Sequence, residues 1–462
     1  MTIFILIYDI VDKIYRRFSS PLIRWLTPSR LKIYPPHIPV LILVFWSVSQ
    51  YLGPGLVDLG GKVIGTDFMA FYTAGNFFLL DRMNDLYNFH EQFLFQRKVV
   101  APVDYEYLHL FIYPPYTAPF FALFAWTGYQ KGLFLWYAVG LVTFLASVCL
   151  LRREIKSLAG YKASRLFLMS FLFFPSMAWI IYGQTTFISF TIYTLFFVLL
   201  RRKKDLPAGM ILGLLAFKPQ LAFGLVIVLL IGRRWRALAG AFFTSGLIVA
   251  LGFLCFPEAM QNYMRIMPYL PETLRIQPNP EILVKVLGLG PETQIPSWGI
   301  HSFFGFSILL MDSLWPSGAN ILFILLMIYG MVLTGKIWLS SGWEPGTRVW
   351  DMNMAASFGL TLLLSPQLFT YDLMLLLLPL AILWGYYIGG TGDRPLDGSL
   401  LLFWSTLLYL FTFLSAYLAL LQLRLLGYAG LPELAVQFST PIILAWVHAI
   451  VLKSRQPGGL AQ

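Results

Sequence analysis

Asp67 and Lys218 are the charged side chains whose surroundings point most directly to chemistry. Asp67 stands in Gly65-Thr66-Asp67-Phe68, just beyond the first long apolar stretch. A carboxylate at a membrane surface can take the proton of a hydroxyl group while that oxygen attacks an electrophilic carbon, which is general-base catalysis. The same residue type caps helices, accepting backbone amide hydrogens ahead of a run such as Phe68-Met69-Ala70, and spacing alone does not separate the two roles. Lys218 interrupts an apolar run and precedes Pro219. Insertion scales charge about 2.5–3.5 kcal/mol for such a lysine unless it is paired or hydrated. It is expected either to snorkel to an interface or to hold an anion such as a phosphate as a point charge. Gln184, Gln367, Tyr371 and Asp372 fall at the ends of apolar stretches, where side chains of these types bind hydroxyl-bearing ligands, cap helices or bond between helices. His301, in Ser297-Trp298-Gly299-Ile300-His301-Ser302, and Arg275 are further candidates for a phosphate contact, with a structural role as the alternative.

Composition says what must position these residues. Of 462 residues 58% are hydrophobic and 12% charged, about half the charged share of an ordinary soluble domain, near 25%. Such a chain cannot cover itself with polar surface, so an all-α membrane protein is expected. Its 40 Phe, 24 Tyr and 14 Trp suit lipid-facing rings and interfacial belts. The net charge of +11 does not indicate nucleic acid, because the basic residues come in short clusters between apolar runs, as in Arg201-Arg202-Lys203-Lys204 and Arg233-Arg234-Trp235-Arg236. Cys149 and Cys255 lie inside apolar runs and read as buried structural thiols. Five scattered His and two Cys offer no ligand spacing, so no metal site is expected. There is no Gly-rich nucleotide loop either, and no cofactor is implied.

A spanning helix needs about 20 apolar residues. Ten stretches qualify: 38–56, 129–151, 166–182, 184–200, 237–256, 319–338, 350–366, 371–389, 399–420 and 433–452. Two more, 113–127 and 206–232, are harder to read; Pro219 splits the second into two half-helices. The total comes to about 11–13 membrane helices. Residues 1–36 form a basic interfacial segment without a convincing signal peptide, and 37–462 form a single transmembrane domain. Six Lys or Arg in the amino-terminal segment, five in 152–165, four in 201–204 and three in 233–236 place those segments in the cytoplasm, with both termini. Loops 57–112 and 257–317 are then extracytoplasmic, and their helical patterns with aromatic faces predict amphipathic helices lying along the membrane surface. Parity requires an odd number of crossings between 57–112 and 152–165, which favours a re-entrant 113–127.

Several motifs fall in register with a known family. Gly65-Thr66-Asp67-Phe68-Met69-Ala70-Phe71-Tyr72-Thr73-Ala74-Gly75, then Leu86-Tyr87-Asn88 and Phe111-Ile112-Tyr113-Pro114-Pro115, resemble the first-loop signature of glycosyltransferase family 87. Tyr182-Gly183-Gln184 is similar to its Gly-Gln, Phe217-Lys218-Pro219-Gln220 to its Lys-Pro, and Leu364-Ser365-Pro366-Gln367 with Tyr371-Asp372 to its late Ser-Pro and Tyr-Asp pair. The resemblance runs from about residue 60 to 390. It departs where mannosyl-transferring members carry a His-rich motif and this chain has Gln367-Leu368-Phe369-Thr370. The resemblance implies a GT-C-type multispanning bundle in the cell (inner) membrane. It implies a polyprenyl-phosphate sugar donor carrying mannose or a pentose, and a lipid-linked or glycan acceptor, used outside the cytoplasm. Asp67 matches the expected catalytic base; Lys218 lies in the matching Lys-Pro motif, and its reading as a donor-phosphate ligand rests on its charge beside the Pro219 break. Tyr72, Tyr87 and Tyr113 fall within the motifs as substrate-binding candidates. A transporter or flippase of a lipid-linked or small polar solute is the alternative, but the inverted repeats it would lead one to expect are not found.

Overall fold

A computed structural model describes residues 28–290, 295–387 and 399–455. Among the described residues the chain is helical without a β-strand, and the only extended contacts are the single bridges Val57–Val63 and Ile300–Phe369. Every apolar stretch read from the sequence contains helix. Most of the expected interfacial segment 1–36 lies outside the described residues, and from Pro28 the chain is already in the helix Pro28–Leu52.

Of the roughly 11–13 membrane helices expected, only some are long enough to be full spans. Four described helices are long and apolar enough to cross a membrane: Tyr129–Glu154, Trp235–Cys255, Pro316–Leu339 and Leu400–Tyr428. A fifth crossing counts if Ala163–Phe171 and Phe174–Tyr182, bent by 70°, are taken together. The other apolar elements are shorter because they are interrupted or walled by protein. Thr370–Leu376 is a 3₁₀ turn leading into Leu377–Tyr387, and Asp205–Gly213 gives way to 3₁₀ turns on either side of Lys218. Arg348–Leu364 is buried at every position from Trp350 to Leu364. Irregular backbone at membrane depth is tolerated where protein covers it, and a helix buried on every side is walled by protein.

The bundle has two chemically distinct ends. At one, Arg201 joins Glu154 and Asp351, Arg202 joins Glu154, and Tyr386 donates to Asp351 at 2.6 Å. Arg234 pairs with Asp205, and Arg348 donates to the Lys453 carbonyl at the same end. The clusters 152–165, 201–204 and 233–236 thus share one end. The helices Tyr129–Glu154 and Thr186–Arg201 each run from the other end, near Asp67, to this one.

Two segments turn back within the bundle. The stretch 113–127 starts and finishes at the Asp67 end: Tyr113 bonds Gln184, and Tyr129 donates to the Ile64 carbonyl at 2.6 Å. It therefore begins and ends at one end of the bundle, as a re-entrant segment would. The segment Asp205–Ile231 leaves the basic end, turns at Lys218-Pro219 and returns, with Asp205 and Arg234 paired at its base. Helix Trp235–Cys255 clamps this hairpin at backbone distance. A Cβ on Gly209 would fall 1.8 Å from the Ala237 carbonyl oxygen, and one on Gly240 2.4 Å from that of Leu206.

The loop helices divide. Pro257–Ile266 is amphipathic, burying Ala259, Met260 and Ile266 while Met264 is exposed. Thr66–Leu79 is not a surface helix as expected: Phe68, Met69, Phe71, Ala74 and Phe77 are buried, and Phe71 stacks on Phe121 at 4.6 Å. Its aromatic residues face protein: Phe71 packs on the turned-back helix Ala118–Ala125, Phe68 on Trp136 and Phe77 on Phe95. The cysteines depart too. Cys149 is half-buried and Cys255 is exposed on an outward helix face, so neither is a buried thiol.

Candidate functional site

Two glycines create the meeting point of the site. Gly65 (φ 73°) precedes the helix Thr66–Leu79, and Gly183 (φ 68°) ends the helix Phe174–Tyr182. Both occupy the left-handed region that glycine enters without strain. They also touch: a Cβ on Gly183 would lie 2.8 Å from the Gly65 carbonyl oxygen. Trp136 Nε1 donates to the Gly183 carbonyl at 3.0 Å and Thr66 Oγ1 to that of Tyr182 at 3.3 Å, fixing the approach. The start of one helix is thereby set beside the residue that follows the other.

That geometry puts Asp67 against Gln184. Gln184 Nε2 donates to Asp67 Oδ2 at 2.7 Å. Gln184 Oε1 accepts from the Tyr113 hydroxyl at 3.2 Å and from the Thr185 amide at 3.1 Å, which orients the side chain. Asp67 makes no side-chain cap for its own helix, so its carboxylate is turned across the helix boundary. Removal from water pushes the half-buried Asp67 carboxyl up to about 6, opposed by the Gln184 hydrogen bond and by the positive charge of Lys218. A base with that affinity is well matched to proton abstraction near neutral pH.

Lys218, at the hairpin tip, is 6% exposed. Its Nζ donates to Asp372 Oδ1 at 3.0 Å and stands 5.7 Å and 5.5 Å from the ring centres of Tyr113 and Tyr371. Thr186 Oγ1 donates to the same Asp372 oxygen at 3.2 Å. The lysine does not snorkel; it is paired, hydrogen-bonded and walled by two aromatic faces. Tyr113 touches both halves of the cluster, its hydroxyl on Gln184 and its ring on Lys218.

The remaining candidates occupy different ranks around this centre. Asp67, Tyr113, Gln184, Lys218, Tyr371 and Asp372 are brought together. Tyr87 donates to the Tyr113 carbonyl at 2.6 Å from beneath. Tyr72 packs edge-on to Tyr129 at 5.1 Å, further along the same helix as Asp67. Gln367 is half-exposed in the segment that leads to Tyr371, where Ser365 Oγ donates to its carbonyl at 3.1 Å. His301 is fully buried, bonding Ser439 Oγ at 2.7 Å and Thr370 Oγ1 at 2.8 Å, while its backbone amide donates to Leu368 at 2.7 Å. Burial pushes its imidazole down to about 3, so it is a neutral brace for the segment carrying Tyr371 and Asp372. Arg275 is held elsewhere by Asp312, Glu272 and Asn320. The two phosphate candidates read from the sequence are thus engaged away from the Asp67–Lys218 cluster, His301 by Ser439 and Thr370 and Arg275 by Asp312, Glu272 and Asn320.

Sequence reasoning missed Thr185, Thr186, Tyr182 and Trp136. The first two follow Gly183-Gln184 directly at a helix start, a signal available in the sequence. Trp136 lies in mid-helix and carries none.

The family model of glycosyltransferase family 87 matches residues 111–366. The match holds Tyr113, Gln184 and Lys218, with Arg275 and His301, while Asp67, Gln367, Tyr371 and Asp372 lie beyond its ends. No curated protein and no solved structure matches the chain significantly. More than half of the 462 residues are matched, including the hairpin lysine and the amide and tyrosine beside it, and on that ground the chain belongs to glycosyltransferase family 87.

Proposed function

We propose that this membrane glycosyltransferase moves a hexosyl unit, mannosyl foremost, or a pentosyl unit from a polyprenyl-phosphate donor to a lipid-linked or envelope-glycan acceptor, at the extracytoplasmic face of the cell (inner) membrane and with inversion. The observation that carries the reading is the single cluster holding Asp67 and Lys218, bridged by Gln184 and Tyr113. Its position at the end of the bundle opposite the Arg and Lys clusters supports the outer face, because short cytoplasmic loops retain those charges.

In this reading Asp67 removes the proton of the acceptor hydroxyl as its oxygen bonds to the anomeric carbon. The bond from that carbon to the phosphate oxygen breaks, and the polyprenyl phosphate leaves with the electron pair. Lys218 faces the developing charge, and its alignment with the base before reaction is where much of the rate arises. An arriving phosphate competes with Asp372 for the ammonium, so the resting ion pair keeps the lysine charged and positioned until the donor enters. Tyr371, flanking Lys218, supplies a ring against which a sugar face can pack.

The test uses purified protein with polyprenyl-phosphate sugars of defined headgroup. Asp67→Asn should lose transfer while retaining its fold and donor binding; near-normal turnover in that variant would remove the base from Asp67. Product anomeric configuration, read by NMR, checks the inversion separately.

A further inference from the structure

An apolar cavity opens at the basic end, far from the site described above. Leu151, Leu158, Leu166, Phe190, Leu380 and Trp384 are among its walls, and its volume is about 140 Å³. It sits between the helices Tyr129–Glu154, Ala163–Phe171 and Leu377–Tyr387, where the 70° bend after Phe171 separates the walls. The chain that supplies Leu158 and Leu166 also supplies Lys156, Lys162 and Arg165, all exposed. Arg165 lies 5.9 Å over the ring of Tyr161, and Tyr161 packs edge-on at 6.3 Å against Trp384. Arg152 holds this turn in place, donating to the Tyr161 carbonyl at 2.6 Å and to that of Ala159 at 2.8 Å. Trp384 Nε1 is buried with no acceptor among the described residues, although indole donors usually find one when buried.

Charge, an unfilled donor and a hydrocarbon-lined space thus follow one another inward from the surface. We propose that this cavity binds an anionic phospholipid, with the phosphate on Lys162 and Arg165, a glycerol-ester carbonyl accepting from Trp384 Nε1, and part of one acyl chain between the helices. The order of the groups matches the order of the lipid's own chemistry. Basic residues beside an anionic lipid headgroup each contribute roughly fivefold in affinity, and the rim complements that charge where the ion pairs of Arg201 and Arg234 leave those residues already neutralised. The site needs nothing from the transfer reaction and stands whatever the donor proves to be.

Native mass spectrometry of the full-length protein, incubated with phosphatidylglycerol and phosphatidylcholine of identical chains, tests this. Phosphatidylglycerol should be retained preferentially, and Lys162→Gln with Arg165→Gln should weaken its retention roughly thirtyfold while leaving phosphatidylcholine unchanged. Ala381→Leu, which fills the cavity, should lower retention of both. Trp384→Phe should weaken phosphatidylglycerol and spare a polyprenyl phosphate, which has no ester. Equal retention of the two phospholipids, a double variant that keeps the preference, or displacement by polyprenyl phosphate at lower concentration than by phosphatidylglycerol would overturn the assignment.

Discussion

The two ends of the bundle use the same residue types to opposite effect. At the basic end Asp351 is held by Arg201 and Tyr386, and Glu154 by Arg201 and Arg202. Each carboxylate there is matched by a guanidinium, and the network ties four helices. At the other end Lys218 and Asp372 make a comparable buried pair, yet the nearest carboxylate, Asp67, bonds an amide and not a cation. An amide orients a carboxylate without neutralising it. On the proposed reading, the difference separates an acid held for structure from one kept available as a base.

Substitution can break that comparison. The largest effect is expected at Asp67, where Asp67→Asn should lower turnover by about 10²–10⁴-fold, the range for losing a general base, with thermal stability unchanged. Asp351→Asn at the opposite end should do the reverse, lowering stability with turnover per folded molecule retained; both are read by pairing a transfer assay with thermal unfolding in detergent. Lys218→Ala alone leaves Asp372 as an uncompensated buried charge, a loss of about 3–5 kcal/mol. Combining Lys218→Met with Asp372→Asn should recover most of that stability in denaturant titrations while transfer stays absent, so recovered transfer would show that the lysine is only structural.

The pH dependence sharpens the contrast. Because the Asp67 carboxyl sits at about 6, the protonated, inactive form dominates below that pH, and the rate should climb with pH through about 6. Gln184→Leu removes a hydrogen bond that favours the ionised form, so the same limb should move to higher pH, accompanied by a modest loss of maximal rate. The smallest change is expected for His301→Asn, which reaches the site only through Thr370. A few-fold loss with an unaltered pH profile would fit a brace already neutral across this range, whereas a profile that shifts would give the imidazole a direct role.

Helix locations, the break at Pro219 and the turned-back 113–127 were legible because they depend on local composition and on charge parity. Span lengths were not, since a hydropathy window does not distinguish a helix facing lipid from one, like Arg348–Leu364, enclosed by neighbours. The site was partly legible. Asp67, Gln184 and Lys218 stand out by type and position, but the Lys218–Asp372 pair joins residues 154 apart in the chain, and no local pattern encodes it. For Arg275 and His301 the same limit holds: their chemistry suggests a phosphate, and their partners, set apart from the cluster, are distant in the chain.

The backbone clamp at Gly209 and Gly240 has a kinetic consequence. With the first arm of the hairpin fastened to Trp235–Cys255 at its main chain and Gly224 of the second set against Thr361 of Arg348–Leu364, Lys218 rides on a stiff post. If the proposed reaction holds, motion during a cycle falls to the arriving donor or the covering loops, and the lysine is the fixed anvil against which each sugar would be struck free.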